Sequence, residues 1–190
     1  MCNFVAFQAK ISLGTPAQRW LGPALFFDVY FSAKTGGSQP MDIHGVAPLL
    51  QVFDMPTSIR FYRDLLGFEV WATSEPGDDC GWAGLRLNGA EVMLNTAYDE
   101  GERPPAPDPA RIATHDDICL FFGCKDLDAA YQHLRAQGVD LKEPRVAPYG
   151  MRQLSFKDPD GYAICFQWPV TQKWQDEWEK SYGIEPKTFA

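Results

Sequence analysis

The sequence predicts an α+β fold made of two tandem βαβββ modules, and three observations carry that prediction. First, the order strand, helix, three strands can be read twice along the chain. Second, apolar residues alternate with period two in the strand segments and recur at i, i+3, i+4 in the two helical ones. Third, equivalent landmarks recur at one interval. Gly67 and Gly138, each closing a helical segment, are 71 positions apart, and the hairpin glycines Gly89 and Gly161 are 72 apart. A period that long marks a duplicated module, since solenoid repeats are shorter.

The elements follow in order. VAPLLQVF from 46 is a strand ending at Asp54, and Asp54 to Thr57 offers helix-starting chemistry, with Pro56 tolerated in the first turn. In the helix that follows, Met55, Ile59, Tyr62, Leu65 and Leu66 share a face, and Gly67 stops it. FEVWATS, WAGLRL and AEVMLNT are three strands, the last two joined by an Asn-Gly corner at 88 and 89. In the second round ICLFFG is the strand and DLDAAYQHLRAQ the helix, with Leu127, Ala130, Tyr131 and Leu134 on one side. VDLKEP, MRQLSFK and YAICFQW are its three strands. The modules take residues 44–98 and 116–169, and a proline-rich linker, 99–115, separates them as a tether or flap. Residues 1–43 are an N-terminal extension, either a stretch upstream of a start at Met41 or a packed strand or short helix. Residues 170–190 place Trp174, Trp178 and Tyr182 at spacing four on an amphipathic helix, whose aromatic seam packs on its own domain, closes a cleft or meets a second copy.

Composition excludes several functions. With 45% hydrophobic residues the 190-residue chain has ample material for a core. Its 25 acidic against 17 basic residues give a net charge of −8, which repels nucleic acid and anionic membranes and leaves a small molecule, cationic or aromatic, as the expected partner. Five cysteines, at 2, 80, 119, 124 and 165, form no CxxC pair and no disulfide or zinc spacing, so a reducing, cytoplasmic setting is expected. The apolar stretch at 21–31 is interrupted by Pro23 and Asp28 and is too short to span a bilayer.

VFDMPTSIRFYRDLLGFEV, DLDAAYQHLRAQGV and PYGMRQLSFKDPDGYAICFQWP, in this order, resemble the vicinal oxygen chelate superfamily of glyoxalases, bleomycin resistance proteins and extradiol dioxygenases. The resemblance covers about residues 46 to 168. It implies that each module curls its mixed sheet into a half barrel whose concave side makes a cleft, and that two copies pair as a homodimer. In metal-dependent members a divalent ion is held there by one residue from the first and one from the last strand of each module, with His and Glu typical. The matching positions here are Ala47, Met93, Asp117 and Cys165. Ala47 offers no donor and the Met93 thioether suits hard cations poorly, so two donors of mixed softness remain where a catalytic site keeps three. The resemblance is therefore to the metal-free, bleomycin-resistance-like members, with no cofactor and no catalytic residue assigned. An enzyme of the same superfamily, a lactoylglutathione lyase or dioxygenase with a displaced metal, is the alternative; His115, two residues before Asp117, or Glu91 as a lone base would serve it.

By strand parity the concave face presents Leu49, Gln51 and Phe53, then Met93 and Asn95, then Cys119 and Phe121, and finally Cys165 and Gln167. Asp117 stands at the entrance to the fifth strand, and Trp82, Arg86, Tyr149 and Arg152 are expected at the rim. A mainly apolar lining with a few amides suits a flat, amphipathic ligand held by stacking and a few oriented hydrogen bonds.

Overall fold

In the computed structural model, which describes residues 42, 44–99 and 101–184, the chain divides into two units, residues 1–45 and 46–190. The predicted N-terminal extension lies almost wholly outside the described residues. In the first unit His44 and Asp42 form an exposed ion pair at 2.7 Å.

The second unit contains both modules. Strand β1 (Leu49–Val52) leads to α1 (Met55–Arg60), where the Asp54 carboxylate accepts a hydrogen bond from the Thr57 N–H at 3.1 Å. The helix widens into a π-helical turn over Phe61–Leu65 and ends at Gly67, whose φ of +84° favours glycine. Strands β2 (Glu69–Thr73), β3 (Trp82–Leu87) and β4 (Ala90–Thr96) complete the module, and Asn88 and Gly89 both take positive φ in the hairpin corner. The linker carries a short helix, α2 (Pro109–Thr114), and a 3₁₀ turn at His115–Asp117. The second module follows as β5 (Cys119–Gly123), α3 (Leu127–Ala136), β6 (Arg145–Val146), β7 (Met151–Lys157) and β8 (Ala163–Pro169), and α4 (Gln172–Ser181) closes the chain.

Each module forms its own open, mixed sheet, in the orders β1-β4-β3-β2 and β5-β8-β7-β6. In both, the first strand runs parallel to the last and the remaining pairs are antiparallel. The duplication read from the glycine spacing is thus a duplication of topology. One local reading differs. The strand expected at VDLKEP, residues 139–144, does not form there; a two-residue strand follows it at Arg145–Val146, since Pro144 has no N–H for a ladder. The linker, expected to hold no core element, folds a one-and-a-half-turn helix that Asp108 caps through the Ala110 N–H and that buries none of its residues.

One continuous core joins the modules. Leu50, Val52, Ile59, Tyr62, Leu85 and Leu94 from the first and Leu127, Leu134, Leu154 and Ile164 from the second are almost fully buried in one cluster. At roughly 1.5–3 kcal/mol for each large side chain buried, this cluster dominates the favourable side of folding. Phe61 meets Phe156 and Phe68 meets Phe122 across the junction, with ring centroids 6.4 and 5.8 Å apart. The aromatic seam of α4 lies on its own domain: Trp178 and Tyr182 pack on Trp168 of β8. Among the described residues no helix is long and apolar enough to cross a membrane.

Candidate functional site

The helices occupy one side of each sheet, so strand alternation leaves a second side turned outward. On the first sheet, cross-strand register sets Leu49, Met93 and Gly84 in one row, Gln51, Asn95 and Trp82 in the next, and Glu91 with Arg86 in a third. The Asn95 amide donates to Gln51 Oε1 at 3.3 Å, and Arg86 pairs with Glu69. Leu49 is 49% exposed.

The most prominent group on this face is one that parity reasoning passes over. A register shift between Val70 and Ala72 breaks the alternation of β2, and Trp71 lies over Gly84 with its indole 2.9 Å from where a Cβ would stand. Trp71 is 48% exposed and meets Trp82 edge to face at 6.2 Å. The glycine in WAGLRL was the available signal, since a glycine inside a strand marks close approach.

On the second sheet Phe121 pairs with Cys165, and Gly123 with Gln167, which pairs in turn with Gln153. The Gln153 amide donates to Gln167 Oε1 at 3.1 Å, a second amide pair mirroring the first. Phe121 is 44% exposed, whereas Cys165, between Phe121 and Ser155, is buried. Tyr149 sits exposed in the turn before β7. Arg152 takes the opposite side: it pairs with Trp168 in register, and its guanidinium makes two bonds to the Asp128 carboxylate, at 2.8 and 2.6 Å, holding that acid below its ordinary range. Phe53 lies just beyond β1, edge to face with Tyr98 at 5.9 Å. Asp117 is exposed in the 3₁₀ turn and off the β5 ladder.

The positions where the resemblance sets metal ligands do not fit a divalent ion. Ala47 precedes β1, Met93 supplies a thioether, Cys165 is a buried thiol and Asp117 stands off the strand. Among the described residues no three His, Cys, Asp or Glu side chains converge in a way that would hold a metal. His115, the candidate substitute, is turned into the protein. Its ring stacks on Tyr162 at 4.0 Å and its Nδ1 lies 2.6 Å from the Asp160 carbonyl oxygen, donating to it.

That histidine belongs to a polar clasp built by the Asp-Pro-Asp-Gly corner of residues 158–161. Asp160 accepts from the Phe53 N–H at 2.6 Å and from the Ser58 hydroxyl at 2.7 Å, so both carboxylate oxygens tie the second module to the first. Asp158 accepts from the Tyr62 hydroxyl at 2.9 Å and from the Asp160 and Tyr162 N–H groups. The Tyr162 hydroxyl accepts from the Gln51 N–H at 3.1 Å, satisfying the open edge of β1. Burial pushes the Asp158 carboxyl up to about 7, against the opposing effect of the Tyr62 hydrogen bond, and burial likewise raises the Tyr62 phenol well above its ordinary range. Gly161, at φ +87°, lets Ile112 of the linker close over the corner.

Residues 43–166 match the family model for the glyoxalase/bleomycin resistance protein/dioxygenase superfamily. The bleomycin resistance proteins of Geobacillus stearothermophilus and Staphylococcus aureus are each 30% identical over 129 residues, covering 63% of this chain and 92% of theirs. Among solved structures, TnmS3, an antibiotic binding protein from Streptomyces sp. CB03234, is 28% identical with a TM-score of 0.51, covering 69% of this chain and 100% of its own. With the repeated topology, the two sheets sharing one core and a family match over more than half its length, the chain belongs to the glyoxalase/bleomycin resistance protein/dioxygenase superfamily.

Proposed function

We propose that the protein sequesters a flat, amphipathic organic molecule, a drug or metabolite, by burying it against the outward sheet faces without making or breaking a bond. The observation that carries this reading is the aromatic and aliphatic platform of the exposed Leu49 and Trp71 with the half-buried Trp82 and Met93, flanked by the Gln51–Asn95 amide pair. Soluble proteins seldom leave such groups side by side in water unless something covers them. Similarity to the bleomycin resistance proteins and to the antibiotic binding protein supports the same reading. Binding is metal-free in this proposal, because Ala47, Met93 and Cys165 replace the donors a divalent ion needs.

The face favours the aromatic half of the expected ligand over the cationic half. Arg86 faces Glu69, and the linker's Arg103 faces Asp54, so two of the acids near the platform are already partnered. The net charge of −8 then acts only as a weak long-range field. Pairing of two copies, so that the second sheet's Phe121, Gln153 and Gln167 close over a neighbour's platform, is part of the proposal. Tryptophan-fluorescence titration with a panel of aromatic drugs, before and after dialysis against EDTA, tests it. Saturable quenching that EDTA leaves unchanged is the expected result; binding that EDTA abolishes, or turnover of a bound compound, overturns it.

A further inference from the structure

Beside the platform, where β1 ends, a shallow surface crevice enclosing only about 10 Å³ is lined by Gln51, Phe53, Tyr98, Arg111, His115 and Asp160 among others, so a ligand group meets these residues at its mouth. Its charges are unevenly used. Asp160 spends both carboxylate oxygens on Phe53 and Ser58, and Asp108 faces the start of α2. Arg111 is different: it makes no ion pair among the described residues, and its guanidinium lies over the Tyr98 ring, 5.7 Å from the centroid. Three other arginines without an ion pair, Arg60, Arg135 and Arg145, are exposed, whereas Arg111 is half-buried against the crevice.

From this arrangement we infer that Arg111 is the anion-recognising end of the ligand site, and that the natural ligand is a planar aromatic acid whose carboxylate or sulfonate meets the guanidinium. This rests on the proposed binding role of the first sheet. The Tyr98 ring, its centroid 5.7 Å from the guanidinium carbon, supports the side chain through its π face, and a guanidinium so placed has N–H donors suited to the paired oxygens of a carboxylate. The ligand body then extends from Arg111 past Phe53 and the Gln51–Asn95 amides onto Trp82 and Trp71, which the register sets in successive rows. The overall negative charge does not oppose this. Solvent and salt screen charges beyond about 10 Å, whereas a guanidinium in contact with its ligand in a partly apolar crevice is screened far less. The linker, which brings Arg111 to the site, is therefore a specificity element as well as a tether.

A matched pair of fluorescent probes tests this: anilinonaphthalenesulfonate, an aromatic anion, and N-phenylnaphthylamine, the same ring system without the sulfonate. The folded protein is expected to bind the sulfonate at least tenfold more tightly than its neutral parent. Arg111→Gln removes that preference by weakening the sulfonate alone, and Arg111→Lys restores part of it. Arg60→Gln, an exposed cation, changes neither, and Trp71→Ala weakens both. Equal affinities in the unmodified protein, or a preference that survives Arg111→Gln, overturn the inference and leave the binding role standing. If neither probe binds, or Trp71→Ala leaves both unchanged, the platform reading falls and the inference with it.

Discussion

Replacing Asp160 with alanine measures how far the corner clasp holds the two modules together. The carboxylate accepts from the Phe53 N–H at 2.6 Å and the Ser58 hydroxyl at 2.7 Å, and Asp160 and Ser58 are both almost fully buried. Truncation strips both donors of their acceptor where water has poor access, and each buried group left unpaired costs about 1–3 kcal/mol. The His115 bond is to the peptide oxygen of Asp160 and survives, so the expected loss is about 2–5 kcal/mol. Asp160→Asn keeps the shape: its carbonyl accepts from Phe53 and its amide donates to the Ser58 oxygen, so a loss near 1 kcal/mol is expected. Urea unfolding followed by tryptophan fluorescence reads the difference. With a slope of about 2 kcal/mol per molar, the alanine variant shifts the midpoint down by about 1–2.5 M and the asparagine variant by about 0.5 M. Combining Asp160→Ala with Ser58→Ala should cost less than the sum of the two. An alanine variant within 1 kcal/mol of the parent, or strict additivity with Ser58→Ala, would refute the clasp.

Further outcomes are expected. Asp158 has its carboxyl raised by burial to about 7 from 3.8, so between those values the folded protein holds a proton that the unfolded chain has released. Its contribution is fully present below the unfolded value and declines as pH rises through about 7, by up to ~4 kcal/mol, and Asp158→Asn should flatten a stability profile measured from pH 4 to 8. At Gly84, a Cβ would stand 2.9 Å from the Trp71 indole. Because Trp71 is half-exposed and free to swing outward, Gly84→Ala should leave stability within about 1 kcal/mol while abolishing the edge-to-face contact with Trp82. A shift of tryptophan emission with weakened binding of aromatic probes checks this; unchanged emission would place Trp71 elsewhere.

The sequence by itself determined what is periodic and local. Alternation assigned Leu49, Gln51, Met93, Asn95, Phe121 and Gln167 to a face opposite the core, and capping and glycine signals bounded α1 and α3, because those patterns are set by neighbours within a few residues. The duplication was legible for the same reason, as two local patterns at one interval. Only the tertiary structure decided what depends on partners far apart in the chain. The irregularity in β2 that lays Trp71 over Gly84 interrupts the period-two pattern on which parity reasoning rests. Arg152 is held on the helix side of its sheet by Asp128, 24 residues away, and His115 is turned into the protein against Tyr162 and Asp160. The clasp spans about a hundred residues, from Phe53 and Ser58 to Asp160, and Arg111 reaches the crevice only because the linker folds back over the end of β1. Such contacts form when chain closure sets two surfaces against each other, and no short-range pattern records which surfaces those will be.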